Sequence, residues 1–175
     1  MSEKLKSLLR DVPDFPKPGI VFKDITPLLA VPEARAEVVK LILDQFKSTP
    51  VDAIAAVEAR GFLFGTLLAE AMQVPFIPIR KAGKLPYHTI KEEYQLEYGT
   101  ATIEMHTDAI KPGWKVLIHD DLLATGGTAC ASGSLVKKLG GVVAGFSFLI
   151  NLSFLEGEKE IREKLGVSPR YLISY

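Results

Sequence analysis

The chain has 175 residues, 47% of them hydrophobic, with basic and acidic side chains balanced at 21 each. That length supports one domain with a real core and is too short for two ordinary ones, so residues 1–175 are read as a single domain. Zero net charge argues against a nucleic-acid or anionic-membrane binder that works through a basic face, and a single cysteine, Cys130, excludes an internal disulfide framework and a cysteine-based zinc site. The expected partners are small molecules. The charged, periodic segment Met1–Arg10 lacks the apolar core of a signal peptide and the longest apolar runs are too broken to span a bilayer, so the expectation is a soluble cytoplasmic protein.

In chain order, Ser2–Arg10 reads as a short amphipathic helix. Pro13, Pro16, Pro18 and Gly19 then argue against a regular element over Val12–Gly19. Phe15, Ile20, Val21 and Phe22 are too apolar for a free linker, so this segment should lie against the body. Glu33–Phe46 is a predicted helix carrying Val38, Leu41, Ile42 and Phe46. A strand over Asp52–Val57 and a helix over Gly61–Met72, with Phe62, Leu63, Leu67 and Leu68 facing inward, follow. Between them lies Glu58-Ala59-Arg60-Gly61. Such a βα turn at the carboxyl end of a parallel strand is where open α/β sheets bind ligands, and an arginine there adds a bidentate fork suited to diphosphate; a surface ion pair is the other use.

Pro75–Arg80 is the next strand, and it delivers Arg80, Lys81 and Lys84 within five positions. On spacing alone a polyanion site and an ordinary charged loop fit equally well. Tyr87–Tyr94 is polar with no convincing period and joins Gln95–Gly99; residues 81–98 suit a lid that excludes water from a reacting ligand. Thr100–His106 alternates like a half-exposed strand, and Asp108–Gly113 loops to Trp114.

Val116–Thr128 is the most informative stretch. Val116–Ile118 suits a buried parallel strand that ends on Asp120 and Asp121. A turn of Thr125, Gly126, Gly127 and Thr128 precedes a helix over Ala129–Leu139, stopped by Gly140 and Gly141. Glycines let backbone approach an anion closely, converging amides and the helix N-terminus favour it, and the threonines add hydroxyl donors. Carboxylates would repel that phosphate unless the ligand also carries groups that need them. Ribose does, because its 2′ and 3′ hydroxyls donate to carboxylates while the 5′-phosphate fills the loop. Neither a P-loop nor a dinucleotide fingerprint is present. Strands over Val142–Ile150 and Arg170–Ser174 complete the pattern, and His88, His106 and His119 share no metal-ligand spacing.

Acids directly before the loop resemble the 5-phosphoribosyl 1-diphosphate (PRPP) motif of type I phosphoribosyltransferases, and Asp-Asp-Leu-Leu-Ala-Thr-Gly-Gly-Thr resembles the adenine phosphoribosyltransferase version. Phe15–Thr26 is similar to that family's N-terminal hood, Glu58–Gly65 to its diphosphate loop, where a non-proline cis bond is frequent, and Leu96-Glu97-Tyr98-Gly99 to its base-side motif. The resemblance spans Phe15 to about Leu155, and its specificity comes from four separated motifs in the same order. It implies an α/β fold of type I phosphoribosyltransferase kind: a mostly parallel, doubly wound sheet flanked by helices, with residues 1–30 as N-terminal helix and base-covering hood.

The resemblance also implies roles. Asp120, Asp121, Ala124, Thr125, Gly126, Gly127 and Thr128 would bind the ribose and 5′-phosphate; Glu58, Ala59, Arg60, Gly61, Arg80, Lys81 and Lys84 the diphosphate; Val21, Phe22, Lys23 and Leu123 the adenine. Glu97, Asp121 and Arg60 are the catalytic candidates, with Glu97 or Asp121 handling the purine N7 proton, and Tyr98 bordering the lid. Glu97 could equally be an exposed acid on a strand edge. Magnesium (Mg2+) would be held mainly through PRPP, with no direct protein ligand assigned and Asp120 as a candidate. The implied reaction joins adenine to PRPP, giving AMP and diphosphate, and the family is usually homodimeric. His119 departs from the family's aliphatic residue before the acid pair. Two alternatives stand beside this reading: a phosphoribosyltransferase for hypoxanthine, guanine or xanthine, and a non-catalytic nucleotide-sensing regulator on the same fold.

Overall fold

Ala53–Val57 is aliphatic throughout and every residue in it is buried, which requires neighbours on both edges and cover on both faces. A computed structural model, describing residues 2–95 and 99–175, supplies them. The elements are α1 (Ser2–Lys6), β1 (Arg10–Pro13), β2 (Val21–Asp24), α2 (Thr26–Leu29), α3 (Pro32–Phe46), β3 (Ala53–Val57), α4 (Gly61–Met72), β4 (Phe76–Lys81), β5 (Thr89–Gln95), β6 (Thr100–His106), β7 (Lys115–Leu123), α5 (Gly127–Lys138), β8 (Val142–Asn151), α6 (Gly157–Leu165) and β9 (Arg170–Ser174). The main sheet has the order β5-β6-β4-β3-β7-β8-β9. From β4 to β9 its neighbours are parallel, and β6 and β5 add an antiparallel hairpin at one edge.

Chain direction across the sheet reverses between β3 and β7. Helices α3 and α4 pack on one face with Leu28, Ile54 and Leu117, while α5 and α6 pack on the other with Ile118 and Phe146. A doubly wound sheet opens its ligand crevice at the carboxyl ends of the strands where the winding reverses. Here that point holds the Glu58–Gly61 turn and the loop after β7. No helix among the described residues is long and apolar enough to cross a membrane.

Four features differ from the sequence reading. The first helix stops at Lys6, and Arg10–Pro13 pairs antiparallel with Val21–Asp24, so the proline-rich segment is the turn of a hairpin. Prolines confined to the end of β1 and to the turn do not block a two-stranded ladder. Its apolar residues do not all lie on the body either: Phe15 is 51% and Val21 50% exposed, and Phe15 packs edge-on to Phe22 instead.

On α4 the inward residues are Gly61, Phe64, Gly65, Leu68 and Ala69, and Leu63 and Leu67 are exposed. That stripe has helical spacing, but nearly every position of the helix is apolar, so the pattern by itself could not choose a face. Residues 89–95 form a regular strand, half-buried at Ile90, Glu92 and Tyr94. Glu92 hid the alternation, and it pairs with Lys138 on α5. Finally, α6 was not foreseen, because Ile161 is the one large apolar side chain it buries and ion pairs such as Arg162–Glu158 line its outer face.

Candidate functional site

Strand β7 continues past the acids to Leu123, so Asp120 and Asp121 lie within the ladder rather than at its end. The pleat sends successive side chains to opposite faces. Ile118 belongs to the core on the α5 side and Leu117 to the core on the α4 side. Asp120 consequently lines the loop cavity, while Asp121 meets Arg60 from the α4 side.

The loop forms a cradle. Leu122 through Ala129 wrap a cavity of about 70 Å³ with Asp120 at its edge and Val57, Ile118 and Phe148 behind. Gly126 adopts φ +87° before the first turn of α5, and a Cβ there would lie 2.8 Å from the Gly157 carbonyl oxygen, so α6 closes the cradle from outside. Thr128 donates to the Tyr94 hydroxyl at 3.0 Å, which ties β5 to the mouth. A second cavity, of about 190 Å³, opens beside the first and is lined by Glu58, Lys81 and Tyr94 together with Asp120 and Thr128, which line both.

The turn after β3 carries a cis peptide bond between Glu58 and Ala59. Glu58 accepts from Arg80 Nε at 2.8 Å and from the Lys81 amide at 2.6 Å. Burial raises its carboxyl, but these donors outweigh burial and hold it below the ordinary range. Arg60 Nε lies 3.0 Å from Asp121 Oδ2. Its Nη1 donates to the Lys23 carbonyl at 3.2 Å, and its guanidinium covers the Phe22 ring at 4.6 Å. Gly61 permits this crowding, since a Cβ would meet Asp120 Oδ1 at 2.9 Å.

Desolvation pushes the Asp120 carboxyl well above its ordinary value, and the charge of Asp121 adds to it. Asp121 is raised by burial and partly relieved by Arg60. Two acids with one arginine between them are thus short of positive charge. His119 is fully buried with Nδ1 3.3 Å from the Ser147 hydroxyl. Burial lowers its pKa to about 3, so it is a neutral packing residue between α4 and the sheet at neutral pH.

The expected site residues therefore fall into two groups and some outliers. Asp120, Thr128, Glu58 and Lys81 meet at the paired cavities, and Arg60, Asp121, Phe22 and Lys23 meet beneath the hairpin. Ala59 and Val21 are exposed beside them. Arg80 is engaged by Glu58 and by the Lys84 carbonyl, and the exposed Lys84 gives its amide to Glu104. Leu123, expected at the base, is 1% exposed and packs in the α5-side core, whereas the half-buried Leu122 packs with the α4-side core that contains Ile25 and Leu28. Glu97 and Tyr98 lie outside the described residues.

Sequence reasoning missed Tyr94 and Glu104. The buried Glu104 accepts from the amides of Lys84 and Leu85, both at 2.9 Å, and from Thr89, and thereby shapes the cationic loop. The inward alternation of Ile90, Glu92 and Tyr94 was the available signal for Tyr94; Glu104 gave none.

A family model for the phosphoribosyl transferase domain matches residues 24–165. An adenine phosphoribosyltransferase of Cytophaga hutchinsonii is 54% identical over 161 residues, covering 92% of this chain and 89% of that protein. The crystal structure of adenine phosphoribosyltransferase from Thermoanaerobacter pseudethanolicus superposes with a TM-score of 0.96 at 47% identity, covering 100% of both chains. That of the Saccharomyces cerevisiae enzyme, complexed with an imino-altritol bisphosphate and adenine, gives 0.89 at 40% identity over 98% of this chain and 97% of the other. With the family model matched over residues 24–165 and relatives of about half identity spanning nearly the whole chain, this chain belongs to the adenine phosphoribosyltransferases of the phosphoribosyl transferase family.

Proposed function

We propose that this chain transfers the 5-phosphoribosyl group of PRPP to N9 of adenine, releasing diphosphate and AMP, with its residues dividing the work as follows. The observation that carries the reading is Asp120, which lines both cavities. A ribose over Asp120 would place its 5′-phosphate in the Ala124–Thr128 cradle and its diphosphate beside Glu58, Ala59, Gly61 and Lys81. Asp120 accepts from ribose hydroxyls, and the amides and hydroxyls of the cradle donate to phosphate. Arg60 and Lys81 offer fixed positive charge where diphosphate departs, and that preorganisation is the main catalytic contribution. Arg80 acts by holding Glu58, and Lys84 through its amide. Phe22 and the backbone of Val21 and Lys23 cover the base, with Leu122 in the place first assigned to Leu123. Glu97 or Asp121 handles the N7 proton, and residues 81–98, Tyr98 among them, serve as the lid.

Magnesium fits this arrangement as a companion of the substrate. The crowded acids are short of positive charge, and among the described residues no cluster of three or more His, Cys, Asp or Glu could hold a metal. When bound, the ion would neutralise developing charge on diphosphate, with Asp120 the protein carboxylate in reach. A second copy of the chain is the proposed protein partner, seated on the groove where the exposed Leu67 lies next to Val39 and Leu43. A cytoplasmic setting belongs to the same proposal and accords with a lone, buried Cys130.

The test is diphosphate release from PRPP and magnesium with adenine, hypoxanthine, guanine or no base. Release with adenine alone supports the reading; preference for another purine overturns the base assignment, and binding without release overturns catalysis. Light scattering of the unsubstituted protein and of Leu67→Glu tests the dimer.

A further inference from the structure

Lys23 is a cation in an unusual place, since 8% of the residue is exposed. Its ammonium lies 2.7 Å from Asp11 Oδ1 and 3.7 Å from the centre of the Tyr175 ring. A buried charge needs such partners, and the face of an aromatic ring is a fitting one for an ammonium. Lys6 Nζ reaches the same ring at 4.4 Å, so α1 and β2 converge on it.

Tyr175 is anchored independently of the hairpin it touches. Its amide donates to the Asn151 carbonyl at 2.9 Å, and its carbonyl accepts from the Ser153 amide at 2.9 Å and the Ser153 hydroxyl at 2.6 Å. Those residues close β8, and the adjoining Leu152 amide donates to the Leu123 carbonyl at the end of β7. The ring therefore belongs to the end of the sheet that carries the cradle.

From Lys23 the contacts run on into the site. Its carbonyl accepts from Arg60, the adjoining Phe22 ring lies under the guanidinium, and Arg60 faces Asp121. A hairpin that tilted would withdraw both supports from Arg60 together. We infer that Tyr175 is a positioning residue for the reaction: its ring clamps the Lys23 ammonium and sets the β1–β2 hairpin at the height where Phe22 and the Lys23 backbone meet the base. Tyr175 touches no substrate itself. This inference rests on reading the hairpin as the cover of the base.

The test is a kinetic series of Tyr175→Phe, Tyr175→Leu, Lys23→Met and the double variant Lys23→Met/Tyr175→Leu, with base and PRPP varied separately and melting followed alongside. Tyr175→Phe keeps the ring face and is expected to stay within about twofold of the unsubstituted protein. Tyr175→Leu and Lys23→Met each raise KM for the base about tenfold while kcat changes less than about threefold, and the double variant falls well short of the product of the two single effects, because both remove the same Lys23–Tyr175 contact. Lys23→Met retains the backbone carbonyl and serves if Tyr175→Leu does not fold. An unchanged base KM in Tyr175→Leu or Lys23→Met, a parallel loss of kcat and melting temperature, or a Tyr175→Phe as impaired as Tyr175→Leu overturns the clamp. The series is run with whichever base the unsubstituted protein accepts, so a wrong base assignment and a wrong clamp give different results.

Discussion

Arg60 Nε stands 3.0 Å from Asp121 Oδ2, yet that oxygen makes no hydrogen bond, so the pair is joined by charge rather than by an aligned donor. Through it the turn after β3 is coupled to the cradle strand β7. Arg60 favours the ionised form of Asp121, so its removal raises the carboxyl further. Arg60→Ala is expected to lower kcat/KM by about 10²–10³ and to move the acid limb of its pH profile upward. A pH titration of initial rates checks this, and an unmoved limb in an active variant would count against the coupling.

Asp120→Asn should abolish activity while stabilising the empty protein. The native carboxyl titrates above its ordinary value of 3.8, so the folded state holds a proton that the unfolded chain has already released. Stability is therefore lost as pH rises from about 3.8 through the raised native value. The neutral variant escapes that loss. Calorimetry should show a gain of about 1 kcal/mol, or about 2–4 °C, at pH 7 that fades toward pH 4.

Glu104 behaves in the opposite sense. Burial raises its carboxyl, but donors including the Leu85 and Lys84 amides and Thr89 outweigh burial and leave it below 4.5. Its stabilising contribution is present above the unfolded value and is lost as pH falls through the lower native one. Glu104→Gln is expected to cost about 1–3 kcal/mol at neutral pH, less in acid, and to raise KM for PRPP by loosening the loop that follows Lys81. Urea melts at pH 7 and pH 4 together with steady-state kinetics distinguish these effects.

Gly126→Ala would force a side chain into φ +87° and against the Gly157 carbonyl. We expect a loss of about 1–3 kcal/mol and weaker binding of ribose 5-phosphate, read by calorimetry. Normal affinity in this variant would show that the cradle does not need the close packing of α6.

Chelation of magnesium should stop turnover and leave the melting temperature of the ligand-free protein unchanged, because no metal cluster is found among the described residues. A fall in melting temperature with chelator would indicate a resident ion instead.

What the sequence determined by itself was local chemistry. Gly61–Met72, Thr100–His106 and Arg170–Ser174 form elements with the expected bounds, and the cradle was readable because its strand, acids, glycines and helix are contiguous in the chain. The turn before α4 was legible for the same reason. Tertiary structure decided the rest. Arg80 is turned to Glu58 across 22 positions and Arg60 to Lys23 across 37, and no short motif encodes such partners. Packing at the end of β7 put Leu122 with the α4-side core and Leu123 with the α5-side core, and the sheet chose one face of the largely apolar α4. Periodicity tells which residues share a face of an element. Only packing against sequence-distant elements tells what that face meets.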